Sequence, residues 1–209
     1  IGLPSAFNYL SEVSFYITIT LLVGTMGVVA LSAHQIVYSL TALVVGTLGI
    51  GMGSASSIFL GQDRGRNSYH LLGIHTHIAY TILILLIGCL SILFYIFPTF
   101  FIEIYSQDPQ TIKLAVSILM IGIFFQFFDA ANALGVVLLR GMEITRRPFL
   151  HTIIAFWGIG FALSYILGIF QHRGPAGIWT GMTVAAIIGS VLQYVHLQYT
   201  LRTLQAIKS

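Results

Sequence analysis

The stretch TILILLIGCLSILFYIF, Thr81 to Phe97, carries no charged side chain and decides the fold class. A helix rises 1.5 Å per residue, so about 20 apolar residues cross the hydrocarbon of a bilayer, and this stretch belongs to a longer apolar run of that kind. Its hydrophobic residues do not alternate with polar ones, as the strands of a membrane β-barrel would. Comparable runs recur along the chain, with breaks that predict spans near 3–27, 33–60, 71–97, 112–139, 149–170 and 178–200. Repetition over the whole length excludes a signal peptide or a lone anchor. The predicted class is therefore all-α: a polytopic membrane protein, residues 1–209 forming a single six-helix transmembrane lobe.

Composition agrees with that reading. Hydrophobic residues make up 57% of the chain and charged residues 7%, against about 25% charged in an ordinary soluble domain. Turn chemistry separates the runs: Gly61 to Gly65 after the second, Pro98 after the third, Asp108-Pro109 before the fourth, Pro148 before the fifth and Gly174-Pro175 before the sixth. Alternating loops put Arg64, Arg66, Arg140, Arg146, Arg147, Arg202 and Lys208 on one side and Lys113 and Arg173 on the other. The positive-inside rule makes the first side cytoplasmic, with both ends of the chain facing the cytoplasm. The net charge of +3 is thus topological and gives no reason to propose nucleic-acid binding. Cys89 has no partner thiol, so no disulfide or thiolate metal site is expected. The first residue is Ile1, which suggests a piece of a longer chain.

Of six acidic residues, Glu12 and Asp129 fall inside predicted spans. A carboxylate at mid-membrane costs roughly 2.5–3.5 kcal/mol and normally faces a cavity or a partner. Helical rise puts Glu12 about 14 Å and Asp129 about 15 Å from the same membrane edge, where no Lys or Arg lies at comparable depth. Each acid also belongs to a polar row: Ser5, Asn8, Glu12 and Tyr16 on the first span, Gln126, Asp129 and Asn132 on the fourth. Two such rows at one depth describe the lining of a wet cavity or cation site. The competing reading makes each acid a hydrogen-bonded structural group between helices. On the second span Gln35, Ser39, Ala42, Gly46, Gly49, Gly53 and Ser57 form a small-residue face suited to close helix packing, centred on Gly46, Gly49 and Gly53. The seven histidines show no metal-ligand spacing; no nucleophile motif or phosphate loop is present, and no cofactor is implied.

The order of motifs is more specific than any one of them. Gly2-Leu3-Pro4 with an acid eight residues after the proline, Leu31 to Ile36, Gly61 to Gly65, Gln126 to Asp129, Leu139-Arg140-Gly141 with Arg146, and Gly174 to Trp179 together resemble the carboxy-terminal half of multidrug and toxin extrusion (MATE) transporters, the NorM branch in particular. The resemblance implies six of twelve helices, a missing amino-terminal six-helix lobe as partner, and location in a bacterial inner membrane. It implies a non-enzymatic secondary antiporter that exports cationic amphipathic drugs or toxins in exchange for H⁺ or Na⁺. Glu12 and Asp129 match the family's coupling acids, with Asn8, Tyr16, Phe125, Gln126 and Asn132 lining the cavity; any metal would be Na⁺ at the two acids. Where NorM-like sequences carry a Tyr, Phe125 lacks the oxygen, which favours proton over sodium coupling. Phe59 stands where the family has an Arg, and Gly49 where it has a Pro. Two further readings are a flippase for lipid-linked or polysaccharide precursors, of related architecture, and a structural lobe inactive alone.

Overall fold

Asp108-Pro109 shows how local chemistry starts these helices. Pro109 takes the first helical position, where no amide hydrogen is needed, while an Asp108 oxygen accepts from the Thr111 amide at 2.9 Å and the Thr111 hydroxyl at 2.7 Å. A computed structural model describes residues 2–66 and 68–206. They form α1 (Gly2–Gly24), α2 (Val28–Gly65), α3 (Tyr69–Ile96), α4 (Pro98–Glu103), α5 (Pro109–Gly141), α6 (Arg146–Phe170) and α7 (Gly174–Ala206). All but the short α4 are long and apolar enough to cross a membrane. The six-helix membrane class read from hydropathy holds. Ile1 and Lys208 lie outside the described residues.

Several helix ends differ from the hydropathy reading. Only Thr25 to Gly27 separate α1 from α2, so α2 begins five residues earlier than the predicted 33. At its other end Gly61 to Gly65 do not form a connection but complete the last turns of α2. Tertiary partners hold them helical: Asp63 bonds His75 of α3 at 2.5 Å, and the Arg64 guanidinium donates to the Met142 carbonyl. Pro98, expected to be a plain break, opens α4. Pro148 lies within the first turn of α6, where its missing donor costs nothing. α2 and α6 also contain wide, π-helical stretches, at Val45–Ile50, Ile153–Gly160 and Ile166–Phe170. Each stretch includes glycine, the weakest ordinary helix former.

α5 is the hub, packing on α7, α2 and α3. α3 instead leaves Ile74, Ile78, Ile82, Leu85, Ile92 and Tyr95 exposed, an apolar outer face suited to lipid. Lipid tails are as apolar as leucine, so contact between spans rests on close packing rather than on hydrophobic burial. Small residues make it possible. A Cβ on Gly49 would lie 3.0 Å from the Ala130 backbone, and one on Gly53 2.9 Å from Val137, so both seat α2 on α5. Gly46 does not share that role: a Cβ there would meet nothing within 4 Å, because it faces out of the bundle. The tightest seam is elsewhere, along Gly177, Gly181 and Ala185 of α7. A Cβ on Gly177 would lie 2.6 Å from the Leu167 carbonyl oxygen, and one on Gly160 2.6 Å from Ala185 Cβ, which locks α6 against α7.

Candidate functional site

Tyr16, one turn beyond Glu12 on α1, points its hydroxyl across to α5 and donates to Asp129 Oδ2 at 3.0 Å. Asp129 is 4% exposed, and its other oxygen, Oδ1, has no hydrogen-bond partner among the described residues. Glu12 is half-buried on the same side of α1 and close enough for its charge to act on Asp129. The two sequence-predicted acids therefore do belong to one electrostatic unit, with Tyr16 between their helices.

The polar row of α5 does not stay together. Gln126 donates to Ser91 Oγ on α3 at 3.1 Å, while Asn132 lies against Gly189 of α7, whose added Cβ would be 3.0 Å from Asn132 Oδ1. A spacing of three turns a side chain by about 60° from its predecessor, and on a helix surrounded by neighbours that suffices to reach different partners. Gln126, Asn132 and Phe125 are thus buried between helices instead of lining one open cavity. Asn8 is also buried, donating to Thr152 Oγ1 on α6 at 3.4 Å. Asn132 Oδ1 and Gln126 Oε1 join Asp129 Oδ1 as buried acceptors without a partner among the described residues.

Depth along a helix axis also missed Arg140. It is an exposed residue in the last turn of α5 that lines a cleft with Ser5 and Asn8, one turn below Glu12, and its charge acts on Glu12. A long stem carries the guanidinium away from its own Cα level, as arginine commonly does near helix ends.

Aromatic rings complete the surroundings. Tyr16 packs against Tyr38 of α2 at 5.4 Å, Phe125 at 6.4 Å and Phe156 at 6.3 Å, and Phe125 meets Trp179 of α7 edge-on at 5.4 Å. The Trp179 indole donates to His34 Nδ1 at 3.1 Å, leaving His34 Nε2 3.2 Å from Thr20 Oγ1. One buried imidazole thereby ties α1, α2 and α7. Tyr16 and Tyr38 also face a cavity of about 260 Å³ between α1 and α2, lined in addition by Val13, Ile17, Thr20 and Gln35. Tyr38, His34 and Trp179 escaped the sequence reading as site residues, although two lie inside motifs it singled out. The position of His34 next to Gln35 and of Tyr38 three residues after it, and of Trp179 in the Gly174 to Trp179 motif, was the available signal. Among the described residues no three His, Cys, Asp or Glu side chains converge on a metal position.

Known proteins match this chain along its length. The MatE family profile matches residues 4–166. A probable multidrug resistance protein NorM of Shewanella oneidensis is 30% identical over 203 residues, covering 95% of this chain and 44% of that protein. Multidrug resistance protein MdtK of Pectobacterium atrosepticum is 29% identical over 206 residues, covering 97% of this chain and 45% of that protein. The chain spans about half the length of these curated relatives. In three dimensions it superposes on an outward-facing multidrug resistance MATE family transporter with a TM-score of 0.90 at 15% identity, over 99% of this chain and 46% of that one.

Proposed function

This chain belongs to the MatE family, and from that membership we propose that it forms one lobe of a secondary antiporter, which exports cationic amphipathic compounds in exchange for H⁺ or Na⁺. The observation that carries the site assignment is Asp129. Its carboxyl is buried, one oxygen is held by Tyr16, and the other has no partner among the described residues. A buried acceptor left unpaired costs of order 1–3 kcal/mol, more when charged, which a proton or a cation relieves. Glu12 adds a second negative group, and the two cannot both stay bare at low cost. Their arrangement supports a site whose charge must be neutralised in every state of the cycle.

Coupling then follows from exclusion. An inward-moving H⁺ or Na⁺ cancels one negative charge of the Asp129 and Glu12 pair, and the site no longer favours an organic cation, which leaves. Each net elementary charge moved through 100 mV supplies about 2.3 kcal/mol. The aromatic wall of Tyr16 and Tyr38 suits a flat, charged compound, since ring faces attract cations. The arginine-rich side faces the cytoplasm in this reading, and a second six-helix lobe closes the path from the other side. The substrate leaves chemically unchanged, so the protein acts as a transporter and not as an enzyme.

The test is efflux from cells carrying the transporter that contains this chain. Glu12→Gln and Asp129→Asn keep side-chain size and remove charge. Each is expected to abolish export of a fluorescent organic cation while the protein still reaches the membrane in normal amount. Unchanged efflux in either variant at normal abundance would defeat the assignment.

A further inference from the structure

At the arginine-rich end of the bundle, a groove of about 570 Å³ opens between the start of α6 and the end of α7. Its wall includes Arg146, Arg147, His196, Tyr199, Thr203 and Glu143. We propose that this groove binds the phosphodiester headgroup of an anionic membrane lipid.

The charge in the groove is available. Arg146 and Arg147 are exposed and form no ion pair among the described residues, whereas the one acid present, Glu143, is engaged by Arg64 at 3.7 Å. α6 begins here without a side-chain cap from Thr145, so its first backbone amides add donors where the helix dipole is positive. His196 supplies the independent sign of a missing partner. It is 9% exposed, forms part of the groove wall, and its Nε2 has no hydrogen-bond partner among the described residues, although Arg147 is close enough to act on it electrostatically. Two exposed guanidinium groups with helix-start amides suit phosphate oxygens, which arginine meets in bidentate fashion.

Two apolar tracks separate a lipid from a free anion. From Tyr199, Val195 and Val191 follow at one-turn spacing toward the membrane centre on the outer face of α7, and they are 59% and 52% exposed. Arg146 also lines a second cavity, of about 240 Å³, together with Leu3, Phe7, Phe149 and Leu150. A headgroup on Arg146 and Arg147 therefore has two acyl paths. Inorganic phosphate would use neither.

The experiment takes the purified transporter in detergent, stripped of lipid, and measures rebinding of phosphatidylglycerol and phosphatidylcholine by native mass spectrometry. Each basic residue near a membrane surface contributes about 1 kcal/mol to anionic-lipid attraction, equivalent to about fivefold, so two give a preference for phosphatidylglycerol of about thirtyfold. Arg146→Gln with Arg147→Gln is expected to erase that preference, while Arg202→Gln, on the exposed face of α7 outside the groove, leaves it intact. A photoreactive phosphatidylglycerol should also label the unsubstituted protein at Tyr199 to Thr203, a readout that does not depend on folding of the double variant. Equal binding of the two lipids, an unaltered preference in the double variant, or labelling confined to other helices would overturn the proposal. So would complete displacement by millimolar inorganic phosphate, which would assign the groove to a free anion.

Discussion

Replacing Gly181 by Ala tests whether the seam between α6 and α7 is as tight as its geometry says. The added methyl would lie 2.5 Å from Ser164 Oγ and 2.7 Å from Ser164 Cα. Carbon atoms in contact stay about 3.5–4.0 Å apart, so the overlap is about 1 Å against main chain, which no rotamer change relieves. The helices must separate or shift. Overpacking of this kind costs typically 1–3 kcal/mol. The shift also strains the bond from Ser164 Oγ to the Ile178 carbonyl at 3.0 Å, a further loss of about 1 kcal/mol. Alanine recovers about 1 kcal/mol of helix propensity over glycine, which leaves a net destabilisation of about 1–3 kcal/mol. The control is Gly88→Ala in α3, where a Cβ would meet nothing within 4 Å and the propensity gain stands alone. Unfolding of detergent-solubilised protein by graded sodium dodecyl sulfate, followed by circular dichroism, resolves such differences. Gly181→Ala should lower the folded-to-unfolded ratio by about fivefold or more at fixed detergent. If it proves as stable as Gly88→Ala, the close approach of α6 and α7 is wrong.

Two further outcomes follow from helix ends. The Thr111 hydroxyl and amide hold the Asp108 carboxylate below its ordinary pKa of 3.8, so the cap is complete above that pH and is lost as pH falls through the depressed value. Protection of the Thr111 amide relative to its free exchange rate should fall in that acid window, and Asp108→Ala should show the lower protection already at neutral pH. His172, which follows α6, has φ of 55° in the left-handed region, while the Arg173 amide reaches back to the Leu167 carbonyl at 3.2 Å. His172→Gly relieves that conformation and should stabilise the protein by about 0.5–1 kcal/mol, after allowing for glycine's greater freedom when unfolded, as read by the same detergent titration.

Hydropathy made the six membrane helices legible because each needs only length and apolar composition. Asp108-Pro109 was legible for a related reason: a cap and a first-turn proline act within four residues. Gly61 to Gly65 misled because the glycines and Asp63 carry local turn character, whereas the contacts that keep α2 helical there reach His75 and Met142. Glu12 and Asp129 stood out because charge inside an apolar span is costly wherever it points. Their neighbours did not, since Gln126, Asp129 and Asn132 share a spacing in sequence but turn toward α3, α1 and α7. Spacing of small residues was read in α2 but not in α7, where the tighter seam lies, and only the partner helix shows which glycines touch. It also shows that Gly46 does not.

The wide turns at Val45–Ile50 divide α2 into two arms with different loyalties. The first arm is fastened by His34, whose Nδ1 accepts from Trp179, so only an imidazole with its hydrogen on Nε2 can also donate to Thr20. The second arm rests Gly53 on Val137 and reaches, through Arg64, the Met142 carbonyl at the end of α5. Between them the regular ladder of backbone bonds is interrupted, and a helix bends most readily at such a point. α2 is therefore a jointed rod with its hinge in the membrane, both arms resting on α5 and the near arm also clamped beside Tyr16.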